Sequence, residues 1–154
     1  MIVRPASVTR AVIVVAAMVG VGAVIVLLTW LLRDDLLTAW AEGNSGAREI
    51  LREGGLEAVE ETLTVPAFVP VAVTAWVVFA MLAGVLVVFF IEGFAWARYS
   101  LAAIAVFGVF LAGVGISSGI PPLFVAGSAV MVGLCLLLLY LLFHKDTSRY
   151  FREL

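Results

Sequence analysis

Cysteine, histidine and charge are all scarce in this sequence, and each shortage excludes a class of protein. The chain of 154 residues has one cysteine, Cys135, and one histidine, His144. A single cysteine excludes an internal disulfide, and the two residues cannot supply the usual four ligands of a zinc site. Charged residues make up 13% of the chain and the net charge is −2, whereas nucleic-acid-binding surfaces are basic. We therefore expect no metal, no cofactor and no nucleic-acid partner.

Apolar residues, by contrast, are in excess and are gathered into long runs. Hydrophobic residues make up 64% of the chain and the mean hydropathy is +1.21, whereas a soluble domain is about half apolar and about a quarter charged. The long runs are almost free of ionisable residues, which is typical of a membrane protein. The length allows one domain, residues 1–154, without a separate soluble module.

Four runs are long enough to cross a hydrocarbon core of about 30 Å, which takes about 20 apolar residues in a helix. They are residues 11–32, 66–91, 98–117 and 122–143. Backbone groups in lipid must hydrogen-bond within their own segment, and the runs lack the alternation of barrel strands. The predicted fold class is therefore all-α: a membrane four-helix bundle with a partly helical extracytoplasmic loop between the first and second spans.

The first run is expected to be a retained span rather than a cleaved signal peptide. Arg4 and Arg10 would suit the basic start of a signal peptide. The run of 22 apolar residues is, however, longer than the usual core of about 7–15 residues. The end of the run, Trp30 to Leu32, and Arg33 after it also lack the small side chains of a cleavage site.

The distribution of lysine and arginine predicts which ends of the spans face the cytoplasm. With four spans, both termini lie on one side. That side carries six basic residues: Arg4, Arg10, Arg98, Lys145, Arg149 and Arg152. The other side carries only three: Arg33, Arg48 and Arg52. Because basic flanks stay inside, we predict a multi-pass protein of the plasma membrane with both termini cytoplasmic.

The outer loop, residues 33–65, is the largest piece outside the predicted spans, and a tail of residues 144–154 ends the chain. Two short helices are predicted in the loop, over 47–53 and 56–63, separated by Gly54-Gly55. The loop carries eight of the eleven acidic residues. It is interpreted either as a cap on the end of the bundle or as a partner-binding surface.

The third span carries a stripe of small residues at helical spacing. Its members are Ala102, Ala105, Gly108, Ala112, Gly115 and Gly119. Small residues mark helix-packing faces in membranes, because lipid provides little hydrophobic drive and backbones must approach closely. The stripe is therefore a candidate interface. It is interpreted as packing within the monomer, with a homo-oligomer or a contact to other membrane proteins as the alternative.

Polar candidates are few, and they lie at the ends of the spans. Glu92 and Arg98, on either side of the turn before the third span, form a possible polar site. Ionisable groups deep in lipid mark transport paths, but Glu92 is expected at the interface, in water or paired with Arg98. The sequence shows no nucleophile–base pair, phosphate loop or metal cluster, so no catalytic residue is assigned.

Two short segments resemble a known group of proteins. The turn before the third span reads Gly-Phe-Ala-Trp-Ala-Arg from Gly93 to Arg98, and the tail reads Ser-Arg-Tyr-Phe-Arg from Ser148 to Arg152. In these segments and in its order of spans the chain resembles small four-span integral membrane proteins of high-GC Gram-positive (actinobacterial-type) bacteria. The resemblance implies a bacterial plasma-membrane location and no particular activity.

Three functions remain as hypotheses. The first is a non-catalytic structural protein or accessory subunit of a membrane assembly, which fits the small-residue stripes and the acidic loop. The second is a small oligomeric transporter or channel, which fits the size but needs a polar path. The third, an enzyme acting on lipid, would have to use exposed groups such as Asp34, Asp35 and Arg33, and we predict that the chain is not an enzyme.

Overall fold

The computed structural model describes residues 5–153, with the side chain of residue 153 left out. Within this range the chain forms seven helices and no strands. They are α1 (Ala6–Leu31), α2 (Arg33–Gly43), α3 (Ser45–Thr62), α4 (Phe68–Ile91), α5 (Ala95–Ser117), α6 (Pro122–Phe143) and α7 (Lys145–Glu153). The predicted all-α fold class is confirmed.

Four of these helices, α1, α4, α5 and α6, are long and apolar enough to cross a membrane. They have 22 to 26 residues each, so at 1.5 Å per residue they reach about 33 to 39 Å. The chain is thus compatible with a multi-pass membrane protein. Helix α4 begins at Phe68 and not at Pro66, because Ala67 has a non-helical ψ of 65°; Pro70 falls in the first turn, where its missing N–H has no intrahelical partner to lose.

The four long helices form a ring in which each contacts two neighbours. Helix α1 packs between α4 and α6, and α5 closes the ring between α6 and α4. The α5–α6 and α1–α6 contacts are the most extensive, and the α4–α5 contact is the smallest. We call the end of the ring where α1 starts and α6 finishes the terminal end, and the opposite end, which carries α2 and α3, the hairpin end.

The buried core of the ring is concentrated toward the terminal end. The buried apolar side chains of the four spans, apart from Phe124, belong to one cluster: Val8, Ala11, Val14, Val15, Met18, Ala83, Leu86, Phe90, Ala97, Leu101, Ala102, Ala105, Cys135, Leu138, Leu141 and Leu142. In the half of the spans nearer the hairpin end, only Thr29 and Phe124 are buried among the described residues. The helices therefore pack tightly at one end and separate toward the other.

Helices α2 and α3 form a hairpin with a small core of its own. Ala41, Ala47 and Val59 are fully buried between the two helices. The Asn44 side chain accepts a hydrogen bond from the Gly46 amide at 3.2 Å and so caps the start of α3. Gly55 interrupts α3 with a φ of 72°, a left-handed value that glycine adopts without steric cost. The break lies at the predicted Gly-Gly pair.

The C-terminal segment is a helix that folds back under the terminal end, and the sequence interpretation as a simple tail missed this. Thr147 is fully buried, and its hydroxyl lies 2.8 Å from both the Leu141 carbonyl oxygen and the Ser7 hydroxyl. The Tyr150 hydroxyl donates to the Ile91 carbonyl oxygen at 2.8 Å. Helix α7 thereby ties together the start of α1, the end of α4 and the end of α6.

The Tyr150 hydrogen bond provides a test of this closure. We expect Tyr150→Phe to lower the free energy of unfolding by about 1 kcal/mol, since the Ile91 carbonyl oxygen loses a buried donor. The matched control is Tyr140→Phe, which removes the same atom from an exposed ring. Unfolding of the purified protein in detergent, followed by circular dichroism, measures both. Equal effects of the two substitutions would contradict the packing of α7 described above.

Candidate functional site

Arg98, in the first turn of α5, is the only charged side chain that is buried in the part of the chain described at side-chain level. Its residue is 9% exposed. Atom Nη2 donates to the Ser148 hydroxyl at 2.8 Å. The guanidinium carbon lies 5.0 Å from the centre of the Phe143 ring and 5.5 Å from that of Phe151. These are cation–π distances, so residues of α6 and α7 surround the cation.

Glu92, the other member of the predicted polar site, is not brought to Arg98. It is the C-cap residue of α4 and is exposed. The ion pairs found among the described residues do not include either side chain. Gly93, with a φ of 89°, turns the backbone between them. The two residues share one end of the bundle without forming a joint site there.

The small-residue stripe of α5 faces α6. Ala105 is fully buried. A Cβ added to Gly108 would lie 3.0 Å from Cys135 Sγ, and one added to Gly115 would lie 3.8 Å from Ile120 and Ser128. The stripe thus lets α5 and α6 approach closely within one chain. At its far end, Ala112 is only partly covered, and Gly119 lies exposed in the turn after α5 with a φ of 69°.

A second set of small residues, on α1 and α4, borders an open groove. Ala16 and Val19 on α1 and Ala80 and Gly84 on α4 line an apolar cavity of about 290 Å³ between these helices. A Cβ added to Gly84, or to Gly20 nearby on α1, would meet no atom within 4 Å. Each helix therefore presents a pair of small residues four positions apart beside the groove. We call this feature the α1–α4 groove.

Trp76 joins the two walls of the groove toward the hairpin end. Its indole N–H donates to the Val19 carbonyl oxygen at 2.9 Å. A Cβ added to Gly22 would lie 2.8 Å from the Trp76 ring, so a glycine at this position makes room for the indole. The structure thus shows this tryptophan, which lies well inside a span, as a polar link between α1 and α4.

A larger apolar cavity lies at the hairpin end, where the spans separate. It has a volume of about 480 Å³ and is lined by residues that include Thr29, Leu36, Phe68, Ile120 and Phe124. Helix α2 contributes Leu36 and the turn after α5 contributes Ile120. The volume is in the range of small-molecule pockets, but the lining offers few polar groups to orient a ligand.

The hairpin itself is strongly acidic on its outside. All eight of its carboxylates are exposed. Arg33 donates to Glu60 and to Asp34, and the hydrogen bond with Glu60, together with the two negative charges, raises the pKa of Arg33 above its ordinary value. Among the described residues, no three of the histidine, cysteine or acidic side chains are grouped so that they could hold a metal ion.

Comparisons of the chain with protein-family models, with curated proteins and with solved structures found no match. The geometry of its own residues is therefore the basis for a functional proposal. The Arg98 site, the α1–α4 groove and the hairpin-end cavity are three places where this geometry departs from simple helix packing.

The Trp76 link can be tested by a conservative substitution. We expect Trp76→Phe to destabilise the protein by about 1 kcal/mol or more, since it removes the hydrogen bond to Val19 and leaves a gap beside Gly22. Trp30→Phe, which changes an exposed ring, should have little effect. The measurement is denaturant unfolding in detergent micelles. A loss for Trp30→Phe as large as that for Trp76→Phe would show that the indole link contributes nothing.

Proposed function

We propose that the chain is a non-catalytic integral protein of the plasma membrane, with both termini cytoplasmic, that serves as an accessory subunit of a membrane assembly. In this proposal a transmembrane helix of a partner protein occupies the α1–α4 groove. The observation that carries the proposal is that a Cβ added to Gly84 or to nearby Gly20 would meet no atom within 4 Å, so the chain's own helices leave both glycines uncovered.

The contrast between the two sets of small residues supports this occupant. In membranes, small residues are placed where one helix backbone approaches another. The α5 stripe meets that expectation inside the chain, since Gly108 faces Cys135 on α6. Gly20 and Gly84 have no such neighbour. The lining of the groove includes Ala16, Ala80 and Gly84, whose short side chains admit a third helix backbone.

The shape of the bundle agrees with a scaffold rather than a carrier. The core toward the terminal end is closed by aliphatic and aromatic side chains such as Leu86, Phe90 and Leu138. The acidic exterior of the α2–α3 hairpin adds a second surface, outside the bilayer, that would suit a basic region of the same partner. The groove and the acidic hairpin surface both lie on the outside of the protein, where an accessory subunit makes its contacts.

Site-directed photo-crosslinking tests the groove. Val88 and Leu137 are exposed and lie one helical turn beyond Gly84 and Gly133, and an added Cβ at either glycine meets no atom. We expect a photo-crosslinking side chain at position 88 to give one discrete adduct with another membrane protein, and one at position 137 to give only lipid adducts. Gly84→Leu should abolish the adduct at 88, and Gly133→Leu should leave it unchanged.

Three results of this experiment would contradict the proposal. Lipid adducts alone at position 88 would show that the groove holds acyl chains. An adduct with the mass of two copies of the chain would show a homo-oligomer and not an accessory role. Retention of the heterologous adduct in Gly84→Leu would place the partner outside the groove.

The hairpin-end cavity favours a second candidate, a small oligomeric transporter for an amphiphile. Its volume of about 480 Å³ and its aromatic lining from Phe68 and Phe124 would fit a small amphiphilic cation. If the chain transports, vesicles reconstituted with it should accumulate a fluorescent amphiphilic cation, and Phe124→Trp should slow the uptake while Tyr140→Phe does not. The accessory-subunit proposal expects uptake equal to that of protein-free vesicles.

A further inference from the structure

Arg98 is a buried cation for which the described part of the chain provides no counter-ion. It is 9% exposed, and burying a charge is costly unless the charge is paired. Neither of the described acidic residues at this end forms an ion pair with Arg98. Glu92 is exposed and forms no ion pair with the described residues, and Asp146 lies 3.4 Å from His144 Nδ1. A negative charge from another molecule would compensate the charge of Arg98.

The hydrogen-bonding groups of Arg98 show where that charge would sit. A guanidinium has five N–H donors. Atom Nη2 uses one on Ser148, and Nε is enclosed without an acceptor. Atom Nη1 has no acceptor among the described residues and, unlike Nε, is not enclosed. The guanidinium is thus fixed from one side by α7 and by two aromatic rings, with donors left open on the other.

The residues next to Arg98 are of the kinds found near lipid headgroups. Trp96 and Tyr99, on either side of Arg98 in the first turns of α5, are exposed, as aromatic residues are in the belts at membrane interfaces. The first N–H groups of a helix have no intrahelical partners and favour an anion. Arg98 lies within this first turn, so its cation adds to the positive end of α5.

We propose that Arg98 binds the phosphate of an anionic phospholipid at the predicted cytoplasmic interface. In this site Nη1 donates to a phosphate oxygen, and the acyl chains run along the exposed side of α5 and α6, past Tyr99 and Phe143. The ligand is a lipid and not free phosphate, because Trp96 and Tyr99, beside Arg98 along the chain, are exposed aromatic side chains of the kind found at membrane interfaces. The excess of basic residues at this end, six against three acidic, selects a net negative headgroup.

The first test compares ligands on the wild-type protein purified in a non-ionic detergent. Phosphatidylglycerol should raise the unfolding temperature in a saturable manner. Phosphatidylcholine and diacylglycerol with the same acyl chains, and inorganic phosphate, should give much smaller shifts. Equal shifts from phosphatidylglycerol and diacylglycerol would show that only acyl chains bind. An equal shift from inorganic phosphate would show a free-anion site, and either result would overturn the proposal.

The second test measures lipid affinity by native mass spectrometry of three variants. We expect Arg98→Gln to weaken phosphatidylglycerol binding about tenfold, which corresponds to about 1.4 kcal/mol. The matched control Arg10→Gln removes an equal charge from an exposed position at the same end and should change affinity little. Tyr150→Phe removes the hydrogen bond from α7 to the Ile91 carbonyl oxygen, which does not involve Arg98, and should leave binding intact, which separates loss of the site from loss of α7 packing.

Two outcomes of the variant series would refute the site. One is an equal loss of affinity in Arg98→Gln and Arg10→Gln, which would show general electrostatic attraction to the basic face. The other is unchanged affinity in Arg98→Gln. If Arg98→Gln does not fold, Arg98→Lys keeps the charge but replaces the planar donor group by a single ammonium. We then expect Arg98→Lys to bind phosphatidylglycerol more weakly than the wild type, but above the background level of non-specific lipid attachment.

Discussion

The requirement that every peptide group in hydrocarbon find its hydrogen-bond partner within its own segment governs this structure. It favours helices in α1, α4, α5 and α6 before any contact between them is considered, and their lengths of 22 to 26 residues match the thickness of a hydrocarbon core. The same requirement moves irregular backbone to the ends. The turns with Gly93 and Gly119 and the break at Leu32 all lie outside the helical spans.

Association of the four helices depends on a different interaction, the fit of side chains against one another, because lipid is as apolar as the helices it surrounds. That fit is unevenly distributed. At the terminal end, Ala105 and Leu142 are fully buried and α7 adds hydrogen bonds to three other helices' ends. Toward the hairpin end the spans separate and leave a cavity. The terminal end therefore has a closely packed core, whereas the hairpin end leaves space for further contacts.

Arg98 links the two aspects of the terminal end, its closure and its contact with the bilayer. Its bond to Ser148 and its position over Phe143 and Phe151 help to hold α7 in place. Atom Nε is enclosed without an acceptor, and the guanidinium has no carboxylate partner among the described residues. A phosphate at this position would stabilise the cation and, through it, the closure by α7. The groove between α1 and α4 lies on the outer surface of the ring and is independent of this site.

The sequence alone determined the secondary structure of the spans and the glycine break in α3, because these depend on local hydropathy and on backbone conformations available to single residues. It also located Glu92 and Arg98 at one end of the bundle. It missed the packing of α7, although Thr147, Tyr150 and Phe151 recur at the i, i+3, i+4 spacing of an apolar helix face.

Only the tertiary structure decided which small residues are covered. Gly108 and Gly84 are both glycines in apolar spans, yet one faces Cys135 and the other faces open space. The difference depends on the order of helices around the ring, which hydropathy does not encode. It likewise decided that Arg98 is enclosed while Glu92 is exposed, because burial at an interface is set by what folds over it, here a helix that lies fifty positions further along the chain.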